Sequence, residues 1–204
     1  MVEARDASLM KFLLASSNPG KLLEYRDLAA EAGVELDSVP NFPRIPVFEE
    51  SAPTFAENAA GKAIHYSRFS TGVILADDSG LVVPALNGVP GVHSARYAGR
   101  YATDQDRIHK LLTEMKGKTG DQRRARFVCV TAIAREGRVL AIASDFAQGI
   151  LTEEPRGSGG FGYDPVFLFQ EIDRTYAEIT RNEKNLYSHR GRAFRKVLSL
   201  MAEA

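Results

Sequence analysis

The sequence predicts an α/β fold organised around a mixed sheet. Strand-like apolar runs alternate with segments of helical period, the pattern of a layered α/β domain. One pair of runs is joined by Glu136-Gly137, a two-residue turn suited to an antiparallel hairpin. Alternation alone would suit an all-parallel sheet; the hairpin makes it mixed.

Phe12, Leu13, Leu14 and Ala15 form a short buried first strand. Asn18 stands where an N-cap belongs and Pro19 at the first helical position, so a helix starts there and runs to about Ala32, where Gly33 stops it. Pro40, Pro43 and Pro46 exclude regular helix or central strand on the way to Glu49 and Glu50. Thr54 with Glu57 three residues on is a capping box, opening a second helix to about Tyr66. Val73, Ile74, Leu75 and Ala76 then make a buried strand that ends at Asp77. Gly80 lets the chain turn, and Leu81, Val82 and Val83 resume as a separate short strand. Asn87 to Gly91 is irregular. Thr103 caps a helix carrying Ile108, Leu111, Leu112 and Met115 on one stripe. Phe127 to Ala134 is apolar on both faces, the mark of a central strand, and the turn delivers Val139 to Ala143 as its antiparallel partner. Ser188 caps a last helix whose core stripe is Ala193, Phe194, Val197, Leu198 and Met201.

A chain of 204 residues, 44% hydrophobic and 25% charged, can bury a sizeable core. We read one domain, residues 9–204, behind a loose N-terminal tail from Met1 to Ser8. Lys plus Arg and Asp plus Glu both total 26, so there is no basic excess to coat nucleic acid or a membrane surface, and any anion site is local. Cys129, the only cysteine, excludes an internal disulfide and a Cys-rich zinc site; its apolar surroundings read as core. No stretch approaches the ~18 uninterrupted apolar residues of a membrane span. No signal-peptide core opens the chain either, which points to the cytoplasm.

Several patterns carry chemistry. Ser16-Ser17-Asn18-Pro19-Gly20-Lys21 joins a strand to a helix N-terminus, where free N–H groups, hydroxyls and a lysine make a phosphate cradle without the spacing of a Walker loop. Asp77, Asp78 and Ser79 deliver paired carboxylates at a strand end. Glu49 or Glu50 can swing toward them, producing an oxygen-rich Mg²⁺ site with room for water and phosphate. In Gly159-Gly160-Phe161-Gly162-Tyr163-Asp164-Pro165, glycines disfavour helix and strand. The segment is either a turn with packed aromatics or a display of a stacking ring beside a carboxylate, as reading a planar base requires. Lys184 and Ser188-His189-Arg190-Gly191 place donors around a helix start. Lys62 by itself reads as a surface lysine, and His65, His93 and His109 as surface or packing residues.

Taken together these motifs resemble the inosine triphosphate pyrophosphatase (Ham1-like) family. The likeness runs from Phe12 onward through Ser16, Asn18 and Lys21; Glu49-Glu50 and Thr54-Phe55 with Glu57-Asn58 to Lys62-Ala63; Ala76 to Leu81; Gly88 to Val92; Ser94 to Tyr97; Phe161 to Phe167; and Ser188 to Gly191. One departure is Ser51-Ala52 where Thr-Gly is usual after the acidic pair. The resemblance implies an elongated mixed sheet flanked by helices, with two lobes about a nucleotide cleft. It further implies a homodimer and Mg²⁺-dependent conversion of ITP, dITP or XTP to monophosphate and pyrophosphate.

On that basis Asp78 is the catalytic residue, and Asp78, Glu50 and Asp77 are the metal ligands. Substrate binding falls to Ser16, Ser17, Asn18, Pro19, Gly20, Lys21, Lys62, Ser79, Phe161, Gly162, Tyr163, Asp164, Lys184, His189 and Arg190. Two rival readings are a pyrimidine triphosphate pyrophosphatase of the related Maf type and a catalytically silent nucleotide sensor.

Overall fold

The computed structural model describes residues 10–203, so the expected tail, Met1 to Ser8, lies outside the described residues. The strands are β1 (Lys11–Leu14), β2 (Glu35–Ser38), β3 (Val73–Val82), β4 (Arg124–Arg135), β5 (Arg138–Leu151), β6 (Phe167–Phe169) and β7 (Arg174–Thr175). The helices are α1 (Pro19–Ala32), α2 (Phe55–Ser67), α3 (Asp104–Glu114), α4 (Arg181–Tyr187) and α5 (His189–Glu203). The strands form a single sheet in the order β2-β1-β3-β4-β5-β6-β7. β1 runs parallel to β2 and β3, and every later pairing is antiparallel.

Apolar alternation explains how the layers stack. On one face Ala59 and Ala63 of α2 meet Leu13, Ile74, Ala76 and Val130. On the other, Tyr25 and Leu28 of α1 and Phe194 and Val197 of α5 meet Phe12, Leu14, Leu75 and Ile133. A further cluster joins Ile108, Leu111 and Met115 at α3 to Leu81, Phe127 and Phe167, forming the second lobe. Asn18 caps α1 by accepting from the Lys21 amide, and Gly33 closes it in the left-handed region. Thr54 accepts from the Glu57 amide, but the Glu57 carboxylate takes the Thr54 hydroxyl rather than its amide, so only half of the expected box forms. Glu136 and Gly137 both adopt positive φ, as the two-residue hairpin turn demands.

Two strands depart from expectation. β3 does not end at Asp77; it runs unbroken through Asp78, Ser79 and Gly80 to Val82, paired residue by residue with β4. Gly80 is not a turn residue. A Cβ there would collide with the Gly91 carbonyl and the Ser94 side chain. Ser94 accepts from the Leu81 amide (2.9 Å) and donates to Gly91 (2.7 Å), so residues 91–96 run against the edge of β3. The polar residues do not break the strand because its ladder with β4 continues and their side chains find partners. β5 likewise extends well past Ala143, since exposed polar residues on its outer face do not interrupt pairing on its edge.

The site follows from this topology. β1 pairs with β3 only as far as Leu75, so beyond Leu14 no strand among the described residues lies beside the β1-side edge of β3. A cleft of about 480 Å³ opens there, at the carboxyl end of β1.

Candidate active site

The cleft is walled by Phe42, Phe48 and Tyr66 on one side and by Val92, Ala95 and Tyr163 on the other. Ser16, Ser17, Asn18, Lys21, Glu50, Lys62, Asp78, Ser79, Phe161, Gly162, Tyr163, Asp164, Lys184, His189 and Arg190 all line it. Pro19, Gly20 and Asp77 do not. Pro19 begins α1, and Gly20 lies against the Phe161 ring so closely that a Cβ would strike it.

At one end are the charged groups. Asp78 Oδ2 accepts from Asn58 Nδ2 (3.0 Å) and Oδ1 from the Ser79 amide (2.8 Å). Lys62 pairs with Glu50 and donates to the Asp77 carbonyl (2.9 Å). Burial, and then the neighbouring Glu50 carboxylate, push the Asp78 carboxyl up to about 6. Burial opposes the Lys62 ammonium, yet Glu50 and Asp77 outweigh it and raise its pKa.

At the other end are rings and donors. Phe161 lies 4.8 Å from Lys184 Nζ, and His189 stacks on Phe127 with centroids 4.8 Å apart. Burial, and then Arg190 and Lys184, hold His189 well below the usual imidazole range, so the ring is neutral. Among the described residues its buried Nδ1 has no hydrogen-bond partner. Asp164 Oδ2 accepts from the Phe161 amide (2.9 Å) and from Lys184.

A family model described as the Ham1 family matches residues 12–200. The chain belongs to the Ham1 family. It is 48% identical over 189 residues to a dITP/XTP pyrophosphatase of Geobacillus kaustophilus, covering 93% of each chain. It is 43% identical over 198 residues to the dITP/XTP pyrophosphatase of Pectobacterium atrosepticum, covering 96% of this chain and all of that one. The solved structure of a HAM1 protein from Coxiella burnetii superposes with a TM-score of 0.84 at 39% identity, over 96% of this chain and 100% of that one.

In this Ham1-family chain Asp77 stands apart from the expected metal set. Alternation along β3 turns its side chain to the face opposite Asp78. There it is fully buried, with Lys21 at 3.0 Å and Arg190 at 3.5 Å. Burial would raise its pKa, but Lys21 and Arg190 hold the carboxyl far below the usual range. Asp77 is thus an anchor for two cations. Asp78 and Glu50 do suit a hard divalent ion: both carboxylates face the cleft, and their mutual repulsion already shows in the raised Asp78 pKa.

Arg190 reaches further into the fold than a base-reading donor needs to. It pairs with Glu24, donates to Ser79 Oγ (2.8 Å) and lies near Asp77. Glu24, absent from the sequence reading, is buried between Lys184 (2.7 Å) and Arg190. The result is an alternating chain of charges, Asp164, Lys184, Glu24, Arg190, Asp77 and Lys21, that spans both ends of the cleft. The signal for Glu24 was a carboxylate beside Tyr25 and four residues before Leu28, on the inward side of α1. Asn58 was visible only as part of a motif, with no role attached. Cys129 is buried as expected, 3.7 Å from Asp77, and burial pushes its thiol up to about 12.

Proposed function

We propose that this chain hydrolyses noncanonical purine nucleoside triphosphates (ITP, dITP and XTP) to the monophosphate and pyrophosphate, and so cleanses the nucleotide pool. One observation carries the reading: a single cleft holds a carboxylate–lysine end suited to a metal triphosphate and an aromatic–donor end suited to a purine. The names of the relatives, dITP/XTP pyrophosphatases at 43–48% identity, support it.

Asp78 and Glu50 would hold a Mg²⁺ ion, which when bound supplies charge neutralisation at the triphosphate oxygens. The Asp78 carboxylate orients a water toward the α-phosphorus and takes its proton at Oδ. Asn58 and the Ser79 amide fix the carboxylate's direction. Lys21, Lys62 and the N-terminus of α1 stabilise charge on the departing pyrophosphate. Phe161 stacks on the base, His189 and Lys184 donate to the C6 carbonyl, and Asp164 accepts N1–H. Adenine presents an amino group and a bare N1 to those partners and leaves them unpaired.

The same reading makes the protein a Mg²⁺-dependent cytoplasmic homodimer. Exposed Leu140, Ile142 and Phe146 of β5 are consistent with a covered face, and sedimentation equilibrium tests it. The activity is tested by product analysis in ¹⁸O water with ITP, XTP, ATP and a pyrimidine triphosphate. Inosine monophosphate carrying the label, with unlabelled pyrophosphate and ITP far above ATP, is expected. Label in pyrophosphate, or a preference for pyrimidines, overturns the reading.

A further inference from the structure

We infer that Asp104 is a positioning residue for base recognition, acting through Gly162 on the Phe161 ring. This rests on the purine reading above and adds a residue that no motif pointed to. Asp104 opens α3, 58 positions before Gly162, and its Oδ2 accepts the Gly162 amide at 2.7 Å. Its Oδ1 accepts from Arg107, whose guanidinium also donates to the carbonyls of Ala95 (2.9 Å) and Ala102 (2.6 Å). The carboxylate is therefore held at both oxygens.

The consequence falls on the ring. The amides of Phe161 and Gly162 flank the Phe161 Cα, and each is gripped by a carboxylate, Asp164 for the first and Asp104 for the second. Asp164 reaches α4 only through the Lys184 side chain, whereas Asp104 ties the Gly162 amide directly to α3. Gly162 sits at φ +63°, and Gly157 and Gly160 are also left-handed, so the loop has little stiffness of its own. Without Asp104 the Gly162 amide loses its anchor on α3, and the substrate must restore the position of the Phe161 ring, which weakens binding and leaves the phosphorus chemistry alone.

Kinetics of Asp104→Ala test this. The KM for ITP should rise about tenfold, the loss expected for one charge-assisted hydrogen bond. The kcat should change by less than about twofold, and competitive inhibition by inorganic tripolyphosphate, which has no base, should weaken by no more than that. Asp104→Asn keeps an oxygen that accepts from Gly162 and should recover most of the affinity. If the alanine variant melts early, Asp104→Ser, whose hydroxyl falls short of Gly162, replaces it. An unchanged KM, or tripolyphosphate inhibition weakened as much as ITP binding, overturns the inference. A wild-type enzyme that does not favour ITP over ATP fails the proposed function instead, before any variant is made.

Discussion

Asp77 and Asp78 are neighbours in sequence and occupy opposite faces of β3. Asp77 is sealed between Lys21 and Arg190, whereas Asp78 faces the cleft beside Asn58 and Glu50. One carboxylate holds the cationic framework and the other is free for chemistry.

Asp78→Asn should lower turnover of ITP by at least about a hundredfold, because it removes both the proton acceptor and a metal ligand. Steady-state kinetics at saturating Mg²⁺ check this, and near wild-type turnover would refute the role.

The same variant should gain stability relative to the wild type as pH rises in the absence of divalent ions, on top of a constant cost for the one N–H bond that its amide nitrogen cannot accept. Folding raises the Asp78 carboxyl from 3.8 to about 6, so the ionised group destabilises the native state by up to roughly 3 kcal/mol at pH 7. The folded protein binds this proton more tightly than the unfolded chain. The penalty is therefore complete above about pH 6 and fades as pH falls toward 3.8. Urea melts in EDTA should show Asp78→Asn faring better against the wild type at pH 7.5 than at pH 4.5; a difference that does not change with pH contradicts the charge argument.

Divalent ions should favour the wild type instead. Mg²⁺ binding only to the folded state adds about 2.7 kcal/mol of stability at a hundredfold excess over its dissociation constant. The thermal midpoint of the wild type should climb with Mg²⁺ while that of Asp78→Asn moves little. Equal shifts would place the ion elsewhere.

His189 and Arg190 should separate by mutation. Arg190→Ala leaves buried Glu24 and Asp77 short of a cation and should destabilise the fold by about 3–5 kcal/mol. His189→Ala removes a neutral ring stacked on Phe127 and should narrow the preference for ITP over ATP. If His189→Ala lowers both substrates equally, the imidazole is packing rather than reading the base.

Gly80→Ala tests the continuous strand. Its methyl would press on Gly91 and Ser94, costing about 1–3 kcal/mol as an overpacked site, whereas at a simple turn the change would be mild. Denaturant midpoints distinguish the two.

Much was legible in the chain because it is local. Asn18-Pro19 and Gly33 bound α1, Thr103 opens α3, Glu136-Gly137 turns β4 into β5, and Ser188 accepts from the Gly191 amide at the start of α5. Each of these depends on backbone groups within a few residues. The motif residues that reach the cleft were likewise readable as types suited to phosphate, metal and base. Tertiary structure alone decided how they are shared out. Whether Asp77 and Asp78 act together depends on β3 continuing past β1, which is set by its ladder with β4 some fifty residues later. Glu24 and Asp104 acquire their roles from Lys184, Arg190 and Gly162, partners far along the chain. Local propensity acts through neighbouring backbone; a buried charge takes its meaning from whichever opposite charge the fold brings beside it.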